Sequence, residues 1–155
     1  MSQLLRRGFI AALAPVGVPL ADIIVTDTTG QRACAIQVKS RREIGSDNGW
    51  HMKQKHETVV GDSLFYVFVS FPNDQTKVPD AFIVPSRTVA EAVRTSHATW
   101  LSSPGRNGQI RKDGSFRRFL PDYSNLGLSD RFGPGWLEPY RDNWELLRPV
   151  SHQLP

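Results

Sequence analysis

Two runs rich in Ile and Val, one on either side of the polar insert Asp27-Thr28-Thr29-Gly30-Gln31, dominate the stretch 17–40 and predict a β-hairpin. With Thr29 and Gly30 as the loop, Thr28 faces Gln31, and counting outward sets Asp22 opposite Gln37. Alternation along a strand puts Lys39 on the same side as Gln37, while Cys34, Ile36 and Val38 point into a core. Residues 64–71, Leu-Phe-Tyr-Val-Phe-Val-Ser-Phe, form the most apolar run. Without alternation it reads as a central strand covered on both faces. Joined to the Lys39 strand through a helix, it would lie parallel to that strand.

Shorter signals fill in the rest. Residues 2–7 make at most two helical turns before Gly8, and 9–14 read as a short strand. Trp50 to Val60 reads as a half-exposed helix with a narrow apolar stripe. Residues 81–84 form another strand, stopped by Pro85, after which Ser86 caps a helix to about Leu101. From 102 to 134 the turn signals Pro104-Gly105, Asn107-Gly108 and Asp113-Gly114 indicate a loop-rich excursion. Trp136, Leu137, Tyr140, Trp144 and Leu147 then recur at helical spacing, predicting a terminal amphipathic helix. The fold class expected is α/β, a mixed sheet of four to five strands flanked by helices, within one domain over 1–155 that carries a basic loop-rich insertion at about 103–134 and a C-terminal helix.

Composition narrows the function. A chain of 155 residues with 39% hydrophobic residues can bury a core. Its net charge of +4 favours an anionic partner. Between 103 and 118 stand Arg106, Arg111, Lys112, Arg117 and Arg118 against Asp113 alone, so this one segment equals the balance of the whole chain. The single Cys34 excludes an internal disulfide framework and a cysteine-rich zinc site. No run approaches the eighteen or so apolar residues of a membrane span. Leu5-Arg6-Arg7-Gly8-Phe9-Ile10 looks like a twin-arginine signal, but the apolar stretch behind it is short and Pro15 follows the supposed cleavage site, so a cytoplasmic location is expected. No glycine-rich phosphate loop is present, which removes the ATPase and dinucleotide readings. His51 and His56 lack the i, i+4 spacing of a helical metal pair, and His97 reads as a packed, hydrogen-bonded histidine.

Asp22 on one strand and Gln37-Val38-Lys39 on the next resemble the signature of the PD-(D/E)xK nuclease superfamily, which has the restriction-endonuclease-like fold. Gln37 stands where most members carry Glu or Asp; a Gln-x-Lys version is found in the cleavage domains of methylation-dependent restriction endonucleases. Members usually also carry a Glu on a first helix, and no acidic residue precedes Asp22 here. The resemblance implies a metal-dependent nuclease, acting on DNA rather than RNA, with Asp22, Gln37 and Lys39 as catalytic residues. Asp22, the Gln37 amide oxygen and the Val38 carbonyl would bind Mg²⁺, or Mn²⁺, and Lys39 would hold the attacking water. Arg41, Arg42, Lys53, Lys55, Arg117 and Arg118 would contact phosphates. A homodimer is expected in so far as two strands must be cut. A nucleic-acid-binding module or inactive subunit with the same fold, and a protein-interaction domain, remain open alternatives.

Overall fold

The computed structural model describes residues 1–44 and 48–148; positions 45–47 of the expected polar loop and 149–155 lie outside them. Five strands form one mixed sheet in the order β1 (Ile10–Leu13), β2 (Ile23–Thr26), β3 (Ala33–Arg42), β5 (Leu64–Phe71), β6 (Asp80–Pro85). Only β3 and β5 run parallel; the other neighbours are antiparallel. A separate two-stranded ribbon joins β4 (Trp50–Lys53) to β7 (Phe116–Phe119). With α1 (Ser2–Leu5), α2 (Ser86–Ser102) and α3 (Ser129–Phe132), the architecture is the mixed α/β class expected, a five-stranded mixed sheet flanked by helices. Among the described residues no helix is long and apolar enough to cross a membrane.

The hairpin register is as counted from the sequence: Ile23 pairs with Ile36 and Thr26 with Ala33. Its loop is longer than two residues. Asp27 accepts hydrogen bonds from the Thr29 amide at 3.0 Å and the Thr29 hydroxyl at 2.6 Å, and Gly30 takes the left-handed φ of 68° that this turn requires.

Two cores lie on opposite faces of the sheet. One gathers Leu4, Phe9, Ile23, Val25, Cys34, Ile36 and Phe65 with Trp144 and Leu147 from the far end of the chain. The other packs Tyr66, Phe68 and Val84 under α2 and the β4–β7 ribbon. The ribbon is clamped by aromatics: Phe68 stacks on Phe119 with centroids 4.1 Å apart, and Trp50 lies 5.1 Å from Phe68. The Trp50 indole also donates to the Val69 carbonyl at 2.9 Å, so its polar atom is satisfied in the interior.

Four expectations fail here for identifiable reasons. The helix over 50–60 is instead β4 followed by a single 3₁₀ turn, Gln54–Glu57. Trp50 and Met52 are buried while His51 and Lys53 are exposed, a period of two that suits a strand once β7 supplies its partner. The loop-rich excursion contains that partner, β7. The terminal helix is two 3₁₀ turns, Glu138–Tyr140 and Trp144–Leu147. Trp136 and Leu137 pack with one core and Trp144 and Leu147 with the other, so the chain must turn around the sheet edge between them. It does so at β6, where Asp142 (φ 47°) donates its amide to the Ala81 carbonyl at 2.8 Å and Arg141 pairs with Asp80. A straight helix would reach one face only. Ser86, expected as a helix cap, is instead fully buried and bonds the backbone of Gly61 through its hydroxyl at 2.9 and 3.0 Å.

The ribbon is also tied down by charge. Arg117 is 3% exposed, pairs with Glu57 across about sixty residues of sequence, and reaches Asp113 at 3.2 Å. Removing one partner of a buried pair strands the other charge. Glu57→Gln should therefore cost about 2 to 3 kcal/mol, less than the roughly 3 to 5 kcal/mol of a fully stranded buried charge because Asp113 remains. Urea unfolding checks this: a midpoint unchanged from wild type would mean that the pair is solvated.

Candidate phosphate pocket and catalytic strand

Asp22 lies one residue before β2, at the point where that strand stops covering β3. Its amide donates to the Ile36 carbonyl at 2.8 Å, although Ile23 is the residue registered with Ile36, so two consecutive residues address one partner in the manner of a bulge. Its carboxylate Oδ2 accepts the Val38 amide at 2.7 Å. Asp22 thus supplies the acceptor that β2 no longer provides, and is drawn to β3 on both sides of Gln37. Oδ1 has no partner among the described residues, and the residue is exposed.

Gln37 and Lys39 stand on the face of β3 opposite to buried Cys34 and Ile36. Both line a cavity of about 410 Å³, together with His51, Lys53, Lys55 and His56. Among the described residues no carboxylate lines it. Burial pushes the Lys39 ammonium below the ordinary lysine range; Asp22 opposes that shift, and Lys55 and Lys53 add to it. A concave, partly desolvated site lined by lysine donors suits an anion with several acceptor oxygens, as a phosphate has.

Beneath the cavity lie three polar atoms, each buried and without a hydrogen-bond partner: Gln37 Oε1, His56 Nε2 and the Tyr66 hydroxyl. Gln37 and Tyr66 are registered neighbours on β3 and β5, and the His56 ring stands edge-on to Tyr66 at 5.8 Å. Nδ1 of His56 is held by the Lys53 backbone, within 2.8 Å of the amide and 2.9 Å of the carbonyl. Burial lowers the His56 pKa, and Lys39, Lys55 and Lys53 lower it further against the Lys53 backbone contact. Burial raises the Tyr66 phenol to about 12. Clusters of unpartnered buried polar groups mark places where function outweighs packing. His56 and Tyr66 were not selected as site residues from the sequence. Tyr66 lies inside the most apolar run, and the spacing around His56 suggests one face of a longer helix where the chain forms a single 3₁₀ turn.

The phosphate contacts expected from sequence divide. Lys53 and Lys55 line the cavity, and Arg42 is exposed beside it. Arg41 is turned inward: its guanidinium lies 4.2 Å over the Trp50 ring, donates to Ser70 Oγ at 3.0 Å and to the Asn48 carbonyl, and approaches Glu43 at 4.0 Å. Arg117 is buried in the ion pair with Glu57, which corrects its expected role at the surface; of that pair, Arg118 is the exposed one. Arg111 is likewise occupied, packed over Trp100 at 4.7 Å. His97 is the hydrogen-bonded residue expected, 2.8 Å from Asp113.

A divalent cation at Asp22 would meet oxygen donors from the adjoining strand. Asp22 Oδ1, the Gln37 amide oxygen and the Val38 carbonyl are all hard oxygen donors, and Gln37 Oε1 is an orphaned acceptor whose position exchanges with its NH₂ by an amide flip. The set fits a hard cation held through a single carboxylate.

No protein-family model matches the chain, and no curated protein does. Among solved structures it is similar to the 1.6 Å structure of Hjc, a Holliday junction resolvase from the archaeal hyperthermophile Archaeoglobus fulgidus. The likeness has 14% identity, covers 81% of this chain and 88% of that one, and has a TM-score of 0.42.

The neutral His56 has a consequence for stability. Its folded pKa lies below the ordinary value of 6.5, so the unfolded chain binds more protons in the interval between the two. Stability is level above about pH 6.5 and falls as the pH drops toward the folded value. In His56→Gln that acid limb should be weaker. Thermal midpoints of both proteins between pH 8 and pH 5 test this; parallel curves would show that His56 does not titrate on unfolding.

Proposed function

We propose that this protein is a metal-dependent nuclease that hydrolyses phosphodiester bonds, with DNA as the preferred substrate. One observation carries the reading: among the described residues the Lys39 cavity is lined by three lysines and two histidines with no carboxylate, while the Asp22 carboxylate is fixed at its flank by the backbone of β3. That is an anion site with a metal-ligand oxygen beside it. Lys53 and Lys55 bind the phosphate oxygens and orient the diester. The Lys39 ammonium donates to the attacking water and offsets the negative charge that grows on the phosphate oxygens as the new O–P bond forms and the bond to the leaving oxygen breaks. Asp22, Gln37 and Val38 would hold the cation, which when bound supplies Lewis-acid polarisation and a more acidic water. The proton released by the water goes to solvent and the leaving oxygen is protonated in turn. Arg42 and Arg118 extend the contact to flanking phosphates, and a homodimer would set two such sites against two strands.

A second reading is a nucleic-acid-binding module without catalysis. It is favoured by Gln37, a neutral amide where a second anionic ligand would bind the metal more firmly.

Incubation with Mg²⁺ or Mn²⁺ and plasmid, linear duplex, branched or single-stranded DNA should give cleavage that Lys39→Ala abolishes. Mn²⁺ is expected to outperform Mg²⁺ at so weakly charged a site. Gln37→Glu should tighten Mg²⁺ binding by about tenfold or more, since an added charge near the ion is worth at least about 1.4 kcal/mol, and Asp22→Asn should remove it. Binding without cleavage in every metal selects the second reading; superimposable metal titrations for wild type and Gln37→Glu would show that Gln37 is not a ligand.

Binding itself should be electrostatic. Contact with about four to six phosphates implies a log–log salt slope of roughly −4 to −5, and replacing Lys53 and Lys55 together should flatten it by about 1 to 2. A slope indifferent to those lysines would place the phosphates elsewhere.

A further inference from the structure

Three cavities follow one another through shared residues. A cavity of about 290 Å³ beside Arg41 and Arg42 has Lys39 and His51 in common with the phosphate pocket. The phosphate pocket in turn shares Phe116 with a cavity of about 320 Å³ between α2 and β7. Phosphodiester hydrolysis at Lys39 asks nothing of this last cavity, and its chemistry differs. Its walls include Val93, Leu126, Trp100 and Phe116, with Arg118 and Asn125 among its polar residues. Its size is at the lower end of the roughly 300–1,000 Å³ typical of small-ligand sites, enough for one flat group.

Phe116 is the informative residue. In the strand Phe-Arg-Arg-Phe, Arg117 is 3% exposed and Phe116 is 55% exposed, the reverse of what transfer free energies favour. The ring is held on the rigid ribbon, its neighbour His51 meeting it nearly perpendicularly with centroids 5.1 Å apart. A fixed, open phenyl between a cationic pocket and an apolar cavity is a stacking platform for a base. Trp100, in the same cavity, is held in place by His97 stacked at 5.4 Å and by Arg111, which donates to the Trp100 carbonyl at 2.8 Å. The exposed Asn125 amide has no side-chain partner among the described residues and offers a donor and an acceptor together, the pairing that a base edge presents.

We propose that this cavity receives one unstacked nucleobase of the bound strand while a neighbouring phosphate of that strand occupies the Lys39 pocket. The favoured substrate is then a strand with an unpaired nucleotide close to the bond that is cut, rather than continuous duplex. The inference rests on the reading of the Lys39 pocket as a phosphate site. Unpaired and damaged positions give up a base at the least cost in stacking and pairing, which is what makes such a cavity selective.

The test uses the full chain in EDTA, so that nothing is cut, with a paired duplex, the same duplex carrying one bulged nucleotide, and the single strand, each as DNA and as RNA. The bulged and single-stranded forms should bind about 5- to 100-fold more tightly than the paired duplex, the range expected for one base stacked on an aromatic side chain. Phe116→Ala and Asn125→Ala should each reduce the ratio of unpaired to paired affinity, and Asn125→Ala, which lies outside the phosphate pocket, should leave affinity for the paired duplex as it was. Phe116→Tyr, which keeps the ring, should retain the preference. Lys53→Ala should weaken all forms alike. Equal affinity for paired and unpaired forms, or a preference that survives Phe116→Ala and Asn125→Ala, overturns the inference while leaving the phosphate pocket intact. Failure of the wild type to bind any of the nucleic acids overturns the phosphate pocket, and the base site with it.

Discussion

The aromatic clamp of Trp50, Phe68 and Phe119 is the contact on which the candidate site depends. It holds a two-stranded ribbon against part of one sheet face, and the ribbon's pleat does the rest. Inward go Trp50, Met52, Arg117 and Phe119, all buried; outward go His51, Lys53, Phe116 and Arg118, all exposed. The outward set has cations and rings side by side. Because the ribbon stops short of β1 and β2, Lys39 is left at its margin, neither solvated nor sealed. A half-covered strand of this kind can hold an ammonium in a partly desolvated place without the full cost of burying it.

Much of the sheet was legible because it is local or strongly apolar. The β2–β3 register follows from the turn and from period-two alternation, and β5 is marked by an unbroken run that only a central strand can use. The placement of Asp22 beside the strand of Lys39 was legible for the same reason, since the hairpin fixes both. What could not be read is the pairing of β4 with β7. The strand over 50–53 is only four residues long, too short for its alternation to stand out against the helical signal around it. Its partner begins with an exposed Phe116 and a buried Arg117, so the ordinary rule of apolar inside and charged outside points to the wrong face. The C-terminal stripe misled differently: its spacing suits a helix, but its residues serve two cores on opposite sides of the sheet.

Charge counting along the chain misjudged the basic segment for a related reason. Arg111 rests on Trp100, and Arg117 lies in a buried pair with Glu57. These guanidiniums support the walls of the cavities rather than reaching a ligand. The cations that do line the phosphate pocket, Lys39, Lys53 and Lys55, are spread over two separate stretches of sequence and become one cluster only through the ribbon. Burial is the main cause of the depressed Lys39 pKa, and repulsion from Lys55 and Lys53 adds to it against the attraction of Asp22.

The ribbon also sets an order of events in folding. The β2–β3 hairpin closes a short loop, whereas β4 and β7 must find each other across about sixty residues, as Glu57 and Arg117 must. Contacts of long sequence separation pay loop-closure entropy before they return any energy, and they are expected to form late. Until they do, the hairpin already presents Asp22, Gln37 and Lys39 on an open sheet, with no wall to concentrate an anion against them. The walled cavity around Lys39 is therefore expected to be complete only at the last step of folding, so an incompletely folded chain would lack the cationic pocket on which the proposed function rests.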